Sequence, residues 1–438
     1  MENNQYIVAL EIGSTKIVAA VAEKSASGYV NVTRLDAEAL PSNCVRYGWI
    51  MNIETTKNVI NKLLHRLSVD LNGDIKSLYV GVGGRSVHSE KSQVSRSIDS
   101  SKTITDDLLN RIISSKLDDA IKNYETIGIV PRYYVVDGQR YTESPRGLAG
   151  SKIDIDLNMI VGRATIKQNL DRVLRPLQVR VEDYIVTPLA VADEILQDNE
   201  KSLGCMLVDM GAETTEVAIY KEGTLAYLAT LPLGGRNITR DLTNGLPVME
   251  DTAERVKKNL ESPLNPQAEV VEIEGVKSNK AAEYISARTG EIIANIERQI
   301  QYAGFSNEEL HTIVLIGGGA SLNGFANRLS EQCKIPVRKG SYPSRLNLLD
   351  QRINRPDYVE VLSLLAKAAD IIPDDVSCVE RHVYESPVID TPEQTPTPVP
   401  AAPPKPEKPR RRGIIGKLTD ALGNLMSEPI EEDDDEEK

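Results

Sequence analysis

The stretch that most constrains this chain is Cys205–Glu222, CMLVDMGAETTEVAIYKE. Cys205–Val208 is mostly apolar and has the length of a buried strand. Asp209, Gly211 and the Thr214–Thr215 pair follow at once, and Val217–Tyr220 then resume strand character. The pattern predicts strand, tight turn, strand, with an acid where the first strand ends. Such a turn suits a phosphate paired with a divalent cation. Glycine lets the backbone approach, amide N–H groups and hydroxyls bind phosphate oxygens, and the carboxylate holds hydrated Mg²⁺ directly or through water. An ordinary hairpin turn is the alternative for this stretch taken alone.

A second copy stands near the start of the chain. Val8–Glu23 reads VALEIGSTKIVAAVAE, with Glu11, Gly13 and Ser14–Thr15 where Asp209, Gly211 and the hydroxyl pair stand later. Two such units, each opening one half of the globular region, indicate an internal duplication. Two facing phosphate loops can hold one nucleotide between two domains. A third element, TIVLIGGG at Thr312–Gly319, is an apolar strand running into three glycines. A helix is predicted after it, over Gly324–Gln332. Bare glycine backbone lets a base and ribose lie close.

At 438 residues two or more subdomains are expected. The formal charge of −13 argues against a general nucleic-acid binder, because phosphate contact needs concentrated Lys and Arg. Cys44, Cys205, Cys333 and Cys378 show no ligand spacing and read as buried free thiols. The N-terminus, MENNQY, lacks the basic and apolar regions of a secretory signal. No apolar run approaches the ~20 residues of a membrane span.

These motifs make the sequence resemble the actin, hexokinase and Hsp70 superfamily, and within it the bacterial division family FtsA. LEIGSTKIVAAVAE is similar to the first phosphate loop and VDMGAETTEVAIY to the second. IVTPLAVADEIL (Ile185–Leu196) resembles the first connecting segment. LPLGGRNITRDL (Leu231–Leu242) and TAERVKK (Thr252–Lys258) resemble later elements. The resemblance covers about 6–372 and implies an α/β actin-like, ribonuclease H-like duplicated fold with two nucleotide-clasping domains. Subdomain 1A is expected at 1–84, 164–202 and 345–384, with an inserted α+β subdomain 1C at 85–163. Subdomain 2A is expected at 203–242 and 305–344, and 2B at 243–304.

The resemblance implies ATP and Mg²⁺ as ligands. Glu11 and Asp209 would hold Mg²⁺. Gly13, Ser14, Thr15, Lys16, Gly211, Thr214 and Thr215 would bind phosphate, and Gly317, Gly318, Gly319, Glu254 and Lys257 adenosine. Ala212, Glu213, Gly234 and Gly235 complete the expected cofactor site. Glu254 and Lys257 lie three apart on one helix face, the alternative being a solvated ion pair. The second loop departs from the pattern Asp-x-Gly-Gly-Gly-Thr-Thr-Asp: Ala212 and Glu213 replace two glycines, and Glu216 the last acid. The Glu213 carboxylate would either face a γ-phosphate and repel it or point to solvent. At most a slow ATPase is expected, and no catalytic residue is assigned.

Between the loops, periodicity predicts a helix over 52–69 capped by Asn52. It also predicts a strand at Ser77–Val82, a helix over 106–122 capped by Thr105, and strands at 126–130, 133–136 and 153–161. A helix is expected at 166–178, a strand at 181–186 and a helix at 188–197. Later helices are expected at 250–259, 279–302 and 356–371. Arg288 and Arg298 lie on the 279–302 helix. The resemblance implies that 2B receives the C-terminal tail of FtsZ, the tubulin-like division GTPase, and basic residues suit its carboxylates. Subdomain 1C would meet neighbouring subunits and later division proteins.

Nine prolines between 387 and 409 exclude a packed core, so 385–409 is expected to be a disordered, polyproline-like linker. At ~3.1 Å per residue it reaches roughly 70 Å when extended. It leads to RRRGIIGKLTDALGNLM, Arg410–Met426, within the segment 410–427. Ile414, Ile415, Leu418, Leu422, Leu425 and Met426 follow helical spacing, and Arg411, Arg412 and Lys417 add positive charge. This is the pattern of an interfacial amphipathic helix, or of one that docks on protein. The resemblance implies the membrane, on the cytoplasmic face of a bacterial inner membrane at the division site. The acidic tail, 428–438, tunes that binding, recruits a basic partner or is simply solvated. The implied function is an ATP-binding, filament-forming tether of FtsZ. A PilM-like pilus-assembly protein and a sugar kinase are the alternatives, and no acceptor pocket with a catalytic Asp stands out for the latter.

Overall fold

A computed structural model describes residues 5–25, 28–117, 123–349 and 356–382. All belong to the first of two units, Met1–Val383 and Tyr384–Lys438. The proline-rich linker, the amphipathic segment with all of its membrane-facing residues, and the acidic tail lie outside the described residues.

Two sheets carry the fold, and their strand orders repeat. In the first, Arg180–Val186, Ser77–Val82, Gln5–Ile12, Lys16–Lys24 and Val30–Ala39 lie side by side, with Leu346–Leu348 added at the end. In the second, Val337–Lys339, Thr312–Ile316, Cys205–Met210, Thr215–Lys221 and Thr224–Leu231 lie in the same succession. In both, a central strand pairs antiparallel with the next in sequence and parallel with a later one. The duplication expected from the two acid–x–Gly hairpins is therefore a duplication of topology. This is the duplicated two-domain topology that the actin-like resemblance implies.

Strand periodicity decides which core each side chain enters. Along Cys205–Met210, Cys205 and Leu207 join the first domain's core, whereas Met206, Val208 and Met210 join the second's. Along Thr215–Lys221, Ala218 and Tyr220 face the first domain, and Val217 and Ile219 the second. Both faces are covered, so these strands read as continuous apolar runs rather than alternating ones. Helices Gly235–Gly245, Glu250–Asn259 and Ser278–Tyr302 close the second core, the last burying Ile285, Ile292, Ile293, Ile296 and Ile300.

Most expected elements are present, with shifted ends. The Ile53–Leu71 helix is capped by Asn52, which accepts from the Thr55 N–H. Thr105 likewise caps the next helix, but that helix spans Asp106–Ser114 and does not reach 122. The backbone turns at Ser115–Leu117, and 118–122 fall outside the described residues. The two short strands expected at 126–130 and 133–136 form one strand, Glu125–Val136, running through Pro131 with a register shift where it pairs with Leu157. The missing N–H of proline is absorbed at that irregularity. The strand at Leu346–Leu348 and the strand Val379–Arg381, paired to Gly73–Ile75, were not anticipated.

The inserted unit has its own small core, in which Ile153, Ile155 and Leu157 meet Leu109, Ile112 and Tyr134. Its His88–Ser97 strand continues the second sheet through a pairing of His88 with Ala229. Asn158 Nδ2 donates to the Leu225 carbonyl at 2.6 Å, and Thr230 Oγ1 to that of Val87 at 3.0 Å. All four cysteines are buried and free. Among the described residues no helix is long and apolar enough to cross a membrane.

Candidate functional site

The two hairpins face one another across a cavity of about 680 Å³. In each, a glycine N–H closes the turn on the carbonyl three residues later, Gly13 on Lys16 at 3.0 Å and Gly211 on Thr214 at 2.9 Å. Pairing resumes at Ile12 with Ile17 and at Met210 with Thr215. Each connection is thus four residues long, and the register equates Glu11 with Asp209, Thr15 with Glu213, Lys16 with Thr214 and Val18 with Glu216. The hydroxyl pairs Ser14–Thr15 and Thr214–Thr215, expected to correspond, are offset by two positions.

The cavity is lined by Glu11, Gly13, Ser14, Thr15, Lys16, Asp209, Gly211, Ala212, Thr214, Gly235, Glu254, Lys257 and Gly317–Gly319, all anticipated. Three anticipated residues stand elsewhere. Thr215 is fully buried, and its hydroxyl donates to the Leu233 carbonyl at 2.8 Å. It shares strand parity with Val217 and Ile219, so it faces the second core. Gly234 supports the loop from behind: a Cβ there would meet the Ala212 carbonyl oxygen at 2.6 Å.

Glu213 is the clearest correction. It faces neither phosphate nor solvent. Its carboxylate is fully buried, paired with Arg240, 3.8 Å from Arg236 Nη1, and accepts the Tyr47 N–H at 3.0 Å. Two guanidinium groups and an amide supply what water would otherwise provide.

The glycine run also differs in detail from expectation. Gly317 takes φ +89°, and a Cβ there would meet Asp209 Oδ1 and the Met210 carbonyl at 2.5 Å. A Cβ at Gly319 would meet the Met210 and Gly211 carbonyls. Their bare faces pack against the second hairpin, whereas Gly318 opens onto free space. Two of the three glycines serve the approach of backbone to backbone.

Acids converge on the floor. Glu11, Asp209 and Glu216 from the sheets meet Glu360 from helix Val359–Ile371. Burial raises the Asp209 carboxyl well above its usual range, and Glu360, Glu216 and Glu11 push it further. Burial and Glu360 raise Glu11, against the pull of Lys16. Burial raises Glu216 to about 7, against the pull of the Gly84 N–H. No N–H or hydroxyl donor meets either buried Asp209 oxygen, and the polar group beside them is the Glu360 carboxyl, itself an acid. Crowded carboxylates with donor-free oxygens suit a hydrated divalent cation. No group of three or more His, Cys, Asp and Glu among the described residues forms a metal cage. Such an ion would need other oxygens besides those of the protein, as Mg²⁺ bound with phosphate does.

At the rim, Lys16 Nζ lies 2.8 Å from Asp357 Oδ2 and 4.7 Å from the centre of the Tyr358 ring. At the other end Lys257 Nζ contacts Glu254 Oε2 at 2.7 Å and the Gly235 carbonyl at 3.0 Å. Burial lowers the Lys257 pKa, while the charge of Lys257 lowers that of Glu254 against burial. With its side chain only 11% exposed, Lys257 belongs to a built site and not to a solvated surface pair. Asp357 and Glu360 escaped sequence reasoning because they lie about 150 residues beyond the second loop, on a helix with a mostly apolar pattern. Glu216 was legible, sharing parity with Ala218 and Tyr220.

Away from the cleft, Arg288 does not offer a free charge. Its guanidinium clasps Asp241 at 2.6 and 3.0 Å and also pairs with Glu291. Arg298, ten positions on, is exposed.

Comparison with known proteins agrees with this geometry. The family model of the cell division protein FtsA matches residues 206–363, and that of the SHS2 domain inserted in FtsA matches residues 84–161. The chain is 30% identical over 336 residues to the cell division protein FtsA of Porphyromonas gingivalis, covering 74% of this chain and 70% of that one. It is 28% identical over 381 residues to the FtsA of Neisseria meningitidis serogroup B, covering 84% and 91%. Among solved structures, one from the PilM–PilN type IV pilus biogenesis complex superimposes with a TM-score of 0.60 over 83% of this chain and 98% of that one. At 14% identity that likeness is one of fold alone. Sequence, topology and the paired hairpins place this chain in the FtsA family of actin-like cell division proteins.

Proposed function

We propose that the chain binds Mg·ATP between its two hairpins, polymerises, and tethers FtsZ filaments to a membrane through its C-terminal amphipathic segment. The observation that carries the nucleotide part is the paired carboxylates Glu11 and Asp209, at matched positions of two facing hairpins, with no N–H or hydroxyl donor on either Asp209 oxygen. Backbone amides and hydroxyls of Gly13–Thr15, Gly211 and Thr214 would hold the phosphates, with Lys16 exchanging Asp357 for a phosphate oxygen. Lys257, Glu254 and Gly318 would meet the nucleoside. The bound cation would neutralise phosphate charge against the acidic floor.

ATP acts in this reading as a conformational ligand with slow or no turnover, since it joins two domains and favours one arrangement of them. Six large apolar residues of the amphipathic segment favour the bilayer, but ordering each residue's backbone costs ~1–2 kcal/mol. A single copy therefore binds weakly, and polymerisation gives firm attachment by avidity. Subdomain 1C would recruit later division proteins at the cytoplasmic face of the inner membrane. Arg298 is the better candidate for an FtsZ-tail carboxylate, because Arg288 is already committed to Asp241.

Liposome flotation of the full chain against a version ending at Pro409, with and without Mg·ATP, tests the tether. Flotation that needs the segment and rises with ATP supports it. A full chain that stays in solution under both conditions sinks it and favours the pilus-assembly alternative.

A further inference from the structure

The two acids that distinguish the second hairpin both reach across to the first domain's backbone. Glu213 Oε2 accepts the Tyr47 N–H at 3.0 Å, and Glu216 Oε1 accepts the Gly84 N–H at 3.2 Å. Arg236 adds a third link, from Nη2 to Ser42 Oγ at 2.5 Å. The Ser42–Trp49 loop and the Gly83–Gly84 turn so gripped are themselves locked together. A Cβ on Gly48 would fall 2.4 Å from the Gly84 Cα, and the Tyr47 carbonyl accepts the Arg85 N–H at 2.9 Å. Ser42, Gly48, Trp49, Gly83 and Gly84 all line the cavity, so this assembly is one of its walls.

The loop is held in an unfavourable shape. Tyr47 has φ +53°, in the left-handed region that bulky residues rarely enter. Such conformations persist where surrounding contacts over-determine them, and they cluster at switches and clamps. One over-determining contact is a carboxylate from the other domain. That carboxylate is anchored by Arg240 and Arg236, so it cannot follow the loop if the domains part.

We propose that Glu213 and Glu216 are positioning residues that clamp this wall shut across the cleft, and that the clamp sets how fast bound nucleotide leaves. The kinetic half rests on the nucleotide reading above, whereas the clamp itself does not. Parting of the domains breaks the Tyr47–Glu213 bond, lets Tyr47 relax and frees the loop that carries Trp49. Release is then gated by a contact between the two domains.

Glu213→Gln keeps the size and an acceptor but removes the charge that joins the arginines. Ser42→Ala removes the link to Arg236 but leaves that guanidinium its contact with Glu250 at 2.7 Å. Trp49 is the sole tryptophan, so its fluorescence reports on the loop directly. In the nucleotide-free full chain, Glu213→Gln is expected to raise acrylamide quenching of Trp49 and to speed amide exchange at Tyr47 about tenfold, a loss in the range of a hydrogen bond to a charged group. Ser42→Ala is expected to do the same more weakly. With Mg·ATP carrying a fluorescent label, both variants should speed dissociation while association stays at the wild-type rate. Unchanged Tyr47 exchange and unchanged dissociation in a folded Glu213→Gln protein overturn the clamp. If that variant fails to fold, wild-type values in Ser42→Ala overturn it instead. A wild-type chain that binds no nucleotide defeats the nucleotide reading, and Tyr47 exchange then still decides the clamp.

Discussion

The two hairpins share a backbone and divide the work. Both are four-residue connections closed by a glycine N–H, and both place an acid one residue before the last paired position. The first turns nearly all of its polar side chains to the cavity: Glu11, Ser14, Thr15 and Lys16 line it. The second keeps Asp209 and Thr214 there but turns Thr215 into its own core and drives Glu213 into two arginines. The shared topology fixes where the loops stand, and their side chains decide what each does. A loop motif therefore predicts a location more safely than it predicts the role of each residue within it.

Asp209→Asn should separate the loops most sharply. It removes the charge on this carboxylate, so Mg²⁺-dependent nucleotide binding should fall at least a hundredfold in a titration with labelled ATP. The cation-free protein should melt at the same temperature or higher, because one of four crowded acids is neutralised. Binding at wild-type strength would break the equivalence of Glu11 and Asp209.

Lys16→Ala should cost about tenfold to a hundredfold in the same titration, the ~1.5–3 kcal/mol of a hydrogen bond to a charged group. Its structural partner at the register, Thr214, should cost less when changed to Val, since it is neutral. Equal losses would remove the asymmetry drawn between the loops.

The acidic floor gives a pH signature. Folded Glu216 keeps its proton up to about pH 7, whereas the unfolded chain releases it near the ordinary 4.5. Between those values the folded state binds more protons, so cation-free stability falls as pH rises through that window and levels off above it. Melting temperatures in EDTA at pH 5.5 and 7.5 should show this drop in the wild type and a smaller one in Glu216→Gln. Mg²⁺ with ATP should restore stability at pH 7.5. A flat profile in both proteins would contradict the crowding of the floor.

The smallest effect compares two threonines. Thr15→Val, at an exposed position facing the cleft, should weaken nucleotide binding a few-fold and leave the melting temperature unchanged. Thr215→Val should do the reverse, costing ~1–3 kcal/mol of stability by leaving the Leu233 carbonyl unpaired, with nucleotide affinity preserved.

The sequence alone determined the duplicated architecture, the inserted unit and most helices. Apolar runs, caps such as Asn52 and Thr105, and the acid–x–Gly turns are local signals set by backbone geometry and desolvation. It also located most of the cavity, because strand ends and glycines fall at fixed places in a repeated topology. Tertiary structure decided the rest. Which acids meet at the floor and the rim depends on Glu360 and Asp357 arriving from a distant segment, and no period in the sequence records that meeting. The fate of Glu213 depended on Arg240, Arg236 and a backbone amide of the other domain converging on one buried point. A charge in a loop carries no sign of its partner, because electrostatic pairing acts through space and leaves no pattern along the chain.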